Sequence, residues 1–177
     1  MIDLQTVLTY LTLISVPVGV FYHIMTLRNT KRNQELQLET RHVQLFWNIY
    51  NELQGEEGES RMHFVTNLDY SDYDDFMEKY GRDNNIEAWN KITSFVTFLE
   101  GLGVLVRDGF VDIRHVAMLM SGDIMLSWEK MRPWLHASRE RYDWPRFGIE
   151  TEYLYNSVVD YATKHPELQI KLPTYNQ

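Results

Sequence analysis

Leu4 to Leu27 is a run of 24 residues without a formal charge, followed at once by Arg28, Lys31 and Arg32. A helix rises about 1.5 Å per residue and must cross about 30 Å of hydrocarbon, so about 20 mostly apolar residues suffice to span a membrane. Residues 4–27 meet that length. The run is not uniformly apolar, because Gln5, Thr6, Thr9, Thr12, Ser15, His23 and Thr26 interrupt it. Threonine and serine hydroxyls can bond a carbonyl one turn back, which lowers their cost in lipid. Pro17 and Gly19 are tolerated in membrane helices more than in soluble ones. A cleaved signal peptide is the rival reading. It would carry a basic start, a shorter apolar core and a small-residue cleavage site, whereas Asp3 precedes this run and no A-x-A pattern follows it. A buried core helix is the second rival, and it gives no reason for the one-sided charge. Cations on the C-terminal flank alone place Met1 outside and the following residues in the cytoplasm. The expectation is a single-pass protein of the cell membrane, touching the bilayer through residues 4–27.

Beyond the span about 150 residues remain, enough for one domain with a real core. Apolar residues at 44% and aromatics at 14% argue against disorder. There is no cysteine, hence no disulfide framework, which accords with a reducing compartment. The net charge of −8 is concentrated between residues 52 and 87, where acidic side chains far outnumber Arg61, Lys79 and Arg82. Nucleic acid is not an expected partner, since its binding rests on phosphate neutralisation by a basic surface.

The periodicity is helical throughout, and the expected class is all-α: a transmembrane helix running on into a stalk, then a compact helical bundle. Boundaries fall at 1–28 for the span, 29–54 for the stalk, 55–164 for the cytoplasmic domain and 165–177 for a tail. Leu36, Val43, Phe46, Tyr50 and Leu53 mark one face of the stalk. The lower part of that face is expected to pack on the domain, and Leu36 to be covered by a neighbouring chain in a homo-oligomer. Gln54-Gly55-Glu56-Glu57-Gly58-Glu59 reads as a break. Ser60 is expected to cap a helix at 61–68, and Asp72 another at 73–80. Residues 86–106 form the most apolar internal stretch, read as a central buried helix. Asp112 caps a short helix at 113–120, Ser121-Gly122-Asp123 separates it from one at 124–142, and Pro133 kinks or restarts the latter. Residues 146–163 make the last helix.

Four stretches together carry a resemblance: YHIMTLRNTKRNQEL at 22–36, FLEGLGVLVRDGFVD at 98–112, WEKMRPWL at 128–135 and FGIETEYLYNSV at 147–158. In this order they resemble an uncharacterised family of bacterial and archaeal membrane-anchored helical proteins, the domain of unknown function numbered 4760. The resemblance runs from the span to about Val158 and implies an N-terminal span with a compact helical domain. It implies no activity and transfers no functional residue.

Residues of the types that carry chemistry mostly have plainer readings. Asp69, Asp72, Asp74 and Asp75 lack the glycine and glutamate of a calcium loop: Asp74 and Tyr80 stand at those places. No two of His23, His42, His63, His115, His136 and His165 lie three or four apart, as a zinc face would need. Neither a metal nor a cofactor is expected, and no residue is assigned a catalytic role. Gly101-Leu102-Gly103 lacks the third glycine of a nucleotide loop and suits close helix contact better. Glu100, inside the apolar run, is the candidate buried carboxylate. An ion pair with Arg107, Arg114 or Arg132 is its structural reading, and a pocket with a raised pKa its functional one. Trp128, Trp134 and Trp144, with Tyr142, are the candidate aromatic cleft, against the plainer reading of core aromatics. Three functions follow in order: a membrane-tethered module acting through protein contacts, as scaffold or complex subunit; a small-ligand sensor with a pocket near Glu100; and, weakest, an enzyme.

Overall fold

The computed structural model describes residues 3–168, and among them every regular element is helical. The helices are α1 (Leu4–Gln54), α2 (Glu56–Thr66), α3 (Tyr73–Tyr80), α4 (Ile86–Arg107), α5 (Ile113–Arg141) and α6 (Ile149–Lys164), with a 3-10 turn at Pro166–Leu168. The expected all-α class, a long apolar N-terminal helix followed by a bundle, is what the chain forms. The expected tail lies largely outside the described residues. Contacts divide the chain into two compact units that meet between Val43 and Gln44.

In the first unit, α1 carries one window long and apolar enough to cross a membrane by length and composition, and none of that window is buried. Thr9 and Thr26 donate their hydroxyls to the carbonyls of Gln5 and Tyr22, at 2.8 and 2.9 Å, so these polar groups are satisfied within the helix. Pro17 lies inside α1 without ending it. Leu36 and Val43 are both exposed, in contrast to the lower residues of their stripe.

The second unit starts on the last turns of α1, where Phe46 and Leu53 are 3% and 2% exposed and belong to the core. The break after Gln54 is a single residue. Gly55 caps α2, which begins at Glu56, so the helix expected from Ser60 starts earlier. Glu56, Glu57 and Glu59 occupy its first turn, where the partial positive charge of the helix end stabilises carboxylates. The sequence alone read this stretch as a break. The corner is tight at Gly58: a Cβ there would stand 2.2 Å from the Glu52 carbonyl oxygen and 2.4 Å from that of Leu53. Asp72 caps α3 as expected, accepting from the Asp75 N–H at 2.9 Å.

α5 corrects two boundaries, since neither Ser121-Gly122-Asp123 nor Pro133 interrupts it. Val116, Met120, Ile124, Trp128, Met131, Trp134 and Leu135 recur at spacings of three and four and are all buried. Burial of that stripe outweighs the cost of about 1 kcal/mol for one glycine in a helix interior. α6 starts at Ile149 rather than 146, behind Gly148 at φ 69°. α6 packs on α4 and α5, α2 packs on the same two helices, and α3 packs on α5 and α4.

Candidate functional site

Glu100 is where the sequence reading is most changed. Its carboxylate pairs with none of the three expected arginines. Arg107 reaches Glu150 at 2.9 Å, Arg132 reaches Glu129 at 3.2 Å, and Arg114 lies 3.8 Å from Asp112. Instead Glu100 Oε1 accepts from the Thr151 backbone N–H at 2.6 Å and from its hydroxyl at 3.0 Å. Thr151 is the third residue of α6, and Gly148 at the cap position has no side chain to offer. A helix start leaves its first N–H groups without partners. Glu100, arriving from α4, therefore performs from a distance the task of a capping side chain. Gly103 makes the approach feasible, because a Cβ there would meet the Glu150 carbonyl oxygen at 2.3 Å. The sequence held a signal for this: a glycine before a helix start leaves the cap to another element.

The aromatic candidates separate. Trp128 is buried beside Tyr155, stacked at 5.5 Å, and edge-on to His136 at 5.9 Å. Trp134 and Trp144 instead line one cleft of about 580 Å³ with Tyr142, Tyr73, Trp89 and Phe147, completed by Thr93, Ser138 and Asp143. Glu100 does not line it. Trp134 stacks on Phe76 at 4.8 Å, and Trp89 and Phe147 stand nearly perpendicular to it, at 81° and 89°. Trp144 stacks on Phe147 at 5.0 Å. Tyr73 comes from α3 and Trp89 from α4, which is why the sequence alone did not join them to Trp134 and Trp144.

The loop after α5 is braced. Trp144 N–H donates to the Arg139 carbonyl at 3.0 Å, Phe147 N–H to the Trp144 carbonyl at 3.1 Å, and Arg139 Nε to the Phe147 carbonyl at 2.6 Å. Asp143 turns the chain with φ 48°, a left-handed conformation that aspartate tolerates better than most residues. At the rim, the Tyr73 and Tyr142 hydroxyls share a hydrogen bond of 3.2 Å. Burial, then the Tyr142 hydroxyl, pushes the Tyr73 phenol above its usual range. The Arg141 guanidinium lies over the Tyr73 ring at 4.8 Å and binds Asp74 at 2.8 Å.

The acidic run is engaged in other work. Asp72 caps α3 and Asp74 holds Arg141. Asp75 accepts from Ser71 N–H at 2.8 Å and from Lys79 at 3.0 Å; these bonds, the backbone one first, hold its carboxyl below the usual range. Among the described residues no three histidines or carboxylates converge as a metal site would require.

These features define an all-helical protein with one span-like helix and a bundle that carries an aromatic cleft. The family model described as a domain of unknown function, DUF4760, matches residues 13–158, so the chain belongs to that family. No curated protein and no solved structure shows a significant match.

Proposed function

We propose that this protein is a single-pass, membrane-tethered helical module, N-terminus outside and the unit from Gln44 onward in the cytoplasm, that acts through protein contacts. The uncharged run 4–27 and the cations at Arg28, Lys31 and Arg32 support the anchor and its direction. The observation that carries the contact reading lies on α5. Met118, Leu119 and Leu126 are 57%, 45% and 40% exposed, and together with Gly122 they fall within about 100° of one helix face. Contiguous apolar surface of this kind marks interaction sites more often than scattered single residues do. A membrane anchor confines such a face to two dimensions and raises its effective concentration for partners in the same bilayer.

The test uses the full chain in native membranes with a photo-crosslinking residue at Leu119, and at Asp160 on α6 as the control. A discrete adduct from position 119 alone is expected, at twice the chain mass if the partner is a second copy. Identical patterns from both positions would overturn the reading. For the anchor, protease added to sealed cytoplasm-in vesicles should leave residues 60–177 intact until detergent is added.

A further inference from the structure

The aromatic cleft supports an inference that goes beyond the protein-contact reading. We propose that it is a binding site for a flat, uncharged heteroaromatic small molecule that presents a hydrogen-bond acceptor to the Trp134 indole N–H.

Trp134 is 1% exposed, yet its Nε1 has no hydrogen-bond partner. A buried donor without a partner is costly, and such groups are rare in folded proteins. This one belongs to a side chain that lines the cleft, and the acceptor of a bound ligand is the partner the proposal assigns to it. The surrounding walls are rings: Trp89 and Phe147 perpendicular to Trp134, and Trp144 parallel to Phe147. Flat ligands gain most from such walls by stacking and edge contact. The volume of about 580 Å³ lies within the range of small-molecule sites. The braces on the loop from Trp144 to Phe147 hold two of the walls in place before anything binds, which removes part of the ordering cost.

Charge narrows the class. Asp143 lines the cleft and contributes a carboxylate to it. Arg141, over the Tyr73 ring, is taken up by Asp74. At Asp143 a phosphorylated ligand would meet a like charge. A simple organic cation is the other chemistry aromatic walls can hold, but a tetraalkylammonium has no acceptor for the Trp134 N–H, and the Tyr73 face is already covered by Arg141. None of the residues lining the larger groove of about 700 Å³ beside α4 has a buried donor left without a partner. There Thr93, Ser94 and Thr97 return their hydroxyls to the carbonyls of Trp89, Lys91 and Thr93.

The five tryptophans allow a direct test, because Trp89, Trp134 and Trp144 line the cleft while Trp47 and Trp128 do not. Full-length protein labelled with 5-fluorotryptophan in detergent micelles is titrated with riboflavin and with quinoxaline, and followed by fluorine NMR. Saturable shifts confined to the three cleft tryptophans are expected with at least one probe. Flavin mononucleotide, which bears the riboflavin ring and a phosphate, should bind at least tenfold more weakly than riboflavin where riboflavin binds. Trp144→Ala, at a residue 55% exposed, should leave the melting temperature near that of the parent and weaken binding at least tenfold. Trp134→Phe, which keeps a ring and removes the donor, should weaken it as well. Absence of a saturable shift with both probes, equal shifts at all five tryptophans, or tetraethylammonium binding where neither aromatic probe binds would each overturn the proposal. Unchanged affinity in a folded Trp134→Phe variant would remove the acceptor from it.

Discussion

Leu36 and Phe46 lie ten residues apart on the same helix, and they represent two regimes of apolar sequence. Leu36, in the first unit, is 52% exposed, and the span-like window before it has no buried side chain among the described residues. Phe46, in the second unit, packs against Tyr50 at 6.1 Å and His115 at 5.3 Å within a closed core. Both regions are rich in apolar residues. What differs is arrangement, since the span is uncharged and mostly apolar all round whereas the last turns of α1 show a stripe with charged and polar neighbours. An all-round apolar helix needs lipid or a large core around it, and a striped one needs a single partner surface. Hydrophobicity thus indicates that a helix leaves water, and its pattern indicates for what.

The largest test of this contrast is the pair Phe46→Asp and Leu36→Asp. The first removes a buried ring, worth about 3–5 kcal/mol, and adds a buried unpaired charge. Against a typical domain stability of about 5–15 kcal/mol, that should unfold the unit from Gln44 onward. Leu36→Asp should leave its thermal melt unchanged. A Phe46→Asp variant that melts like the parent would erase the distinction.

A second pair, two residues apart, sharpens the contrast inside one helix. Gly103→Ala forces a Cβ against the Glu150 carbonyl and should cost about 1–3 kcal/mol. Gly101→Ala meets nothing within 4 Å and should stabilise by about 0.5–1 kcal/mol through helix propensity. Denaturant titrations of both variants would read the opposite signs. Equal effects would mean that α4 and α6 do not approach at Gly103.

The cap supplied by Glu100 predicts a smaller loss. Glu100→Ala leaves the Thr151 N–H without its acceptor and should cost about 0.5–2 kcal/mol, the range for lost helix caps, while Glu100→Gln keeps an acceptor and should cost less. Hydrogen exchange at Thr151 should quicken in the alanine variant. Unchanged protection there would show that the cap does not hold α6.

Smallest is the effect of Asp123. Burial raises its carboxyl above the ordinary value of 3.8. The unfolded chain therefore ionises first as pH rises, and the folded state loses stability between the ordinary and the raised pKa. Asp123→Asn removes that loss. The variant should melt like the parent at pH 3 and slightly higher at pH 7. A melting temperature below the parent's at pH 7 would mean that the charge is favoured where it stands.

The site was legible only in fragments. Glu100 stood out because a carboxylate inside an apolar run must find a partner. The sequence offered arginines as that partner, yet the donor's task fell to Thr151, whose backbone N–H is available only because Gly148 cannot cap it. Trp134, Trp144 and Tyr142 lie near one another in the chain, and all three line the cleft. Trp128 was grouped with them through spacing alone, although it packs beside Tyr155 instead. Tyr73 and Trp89 joined the cleft through helix packing, which no local pattern encodes, whereas Phe147 is held beside Trp144 within their own loop.

By itself, the sequence determined the helical class, the span-like N-terminal run, the caps at Asp72 and Asp112, and the stripe that carries Phe46 and Leu53. Each of these is local, depending on residues within a few turns of one another, where period, charge and hydrogen-bonding capacity act directly. Tertiary structure decided that α5 runs unbroken past Gly122 and Pro133, that Gly103 meets Glu150, that Glu100 caps α6, and which rings face one cleft. Those outcomes depend on close packing between segments far apart in the chain, where a difference of one methyl group decides what can touch.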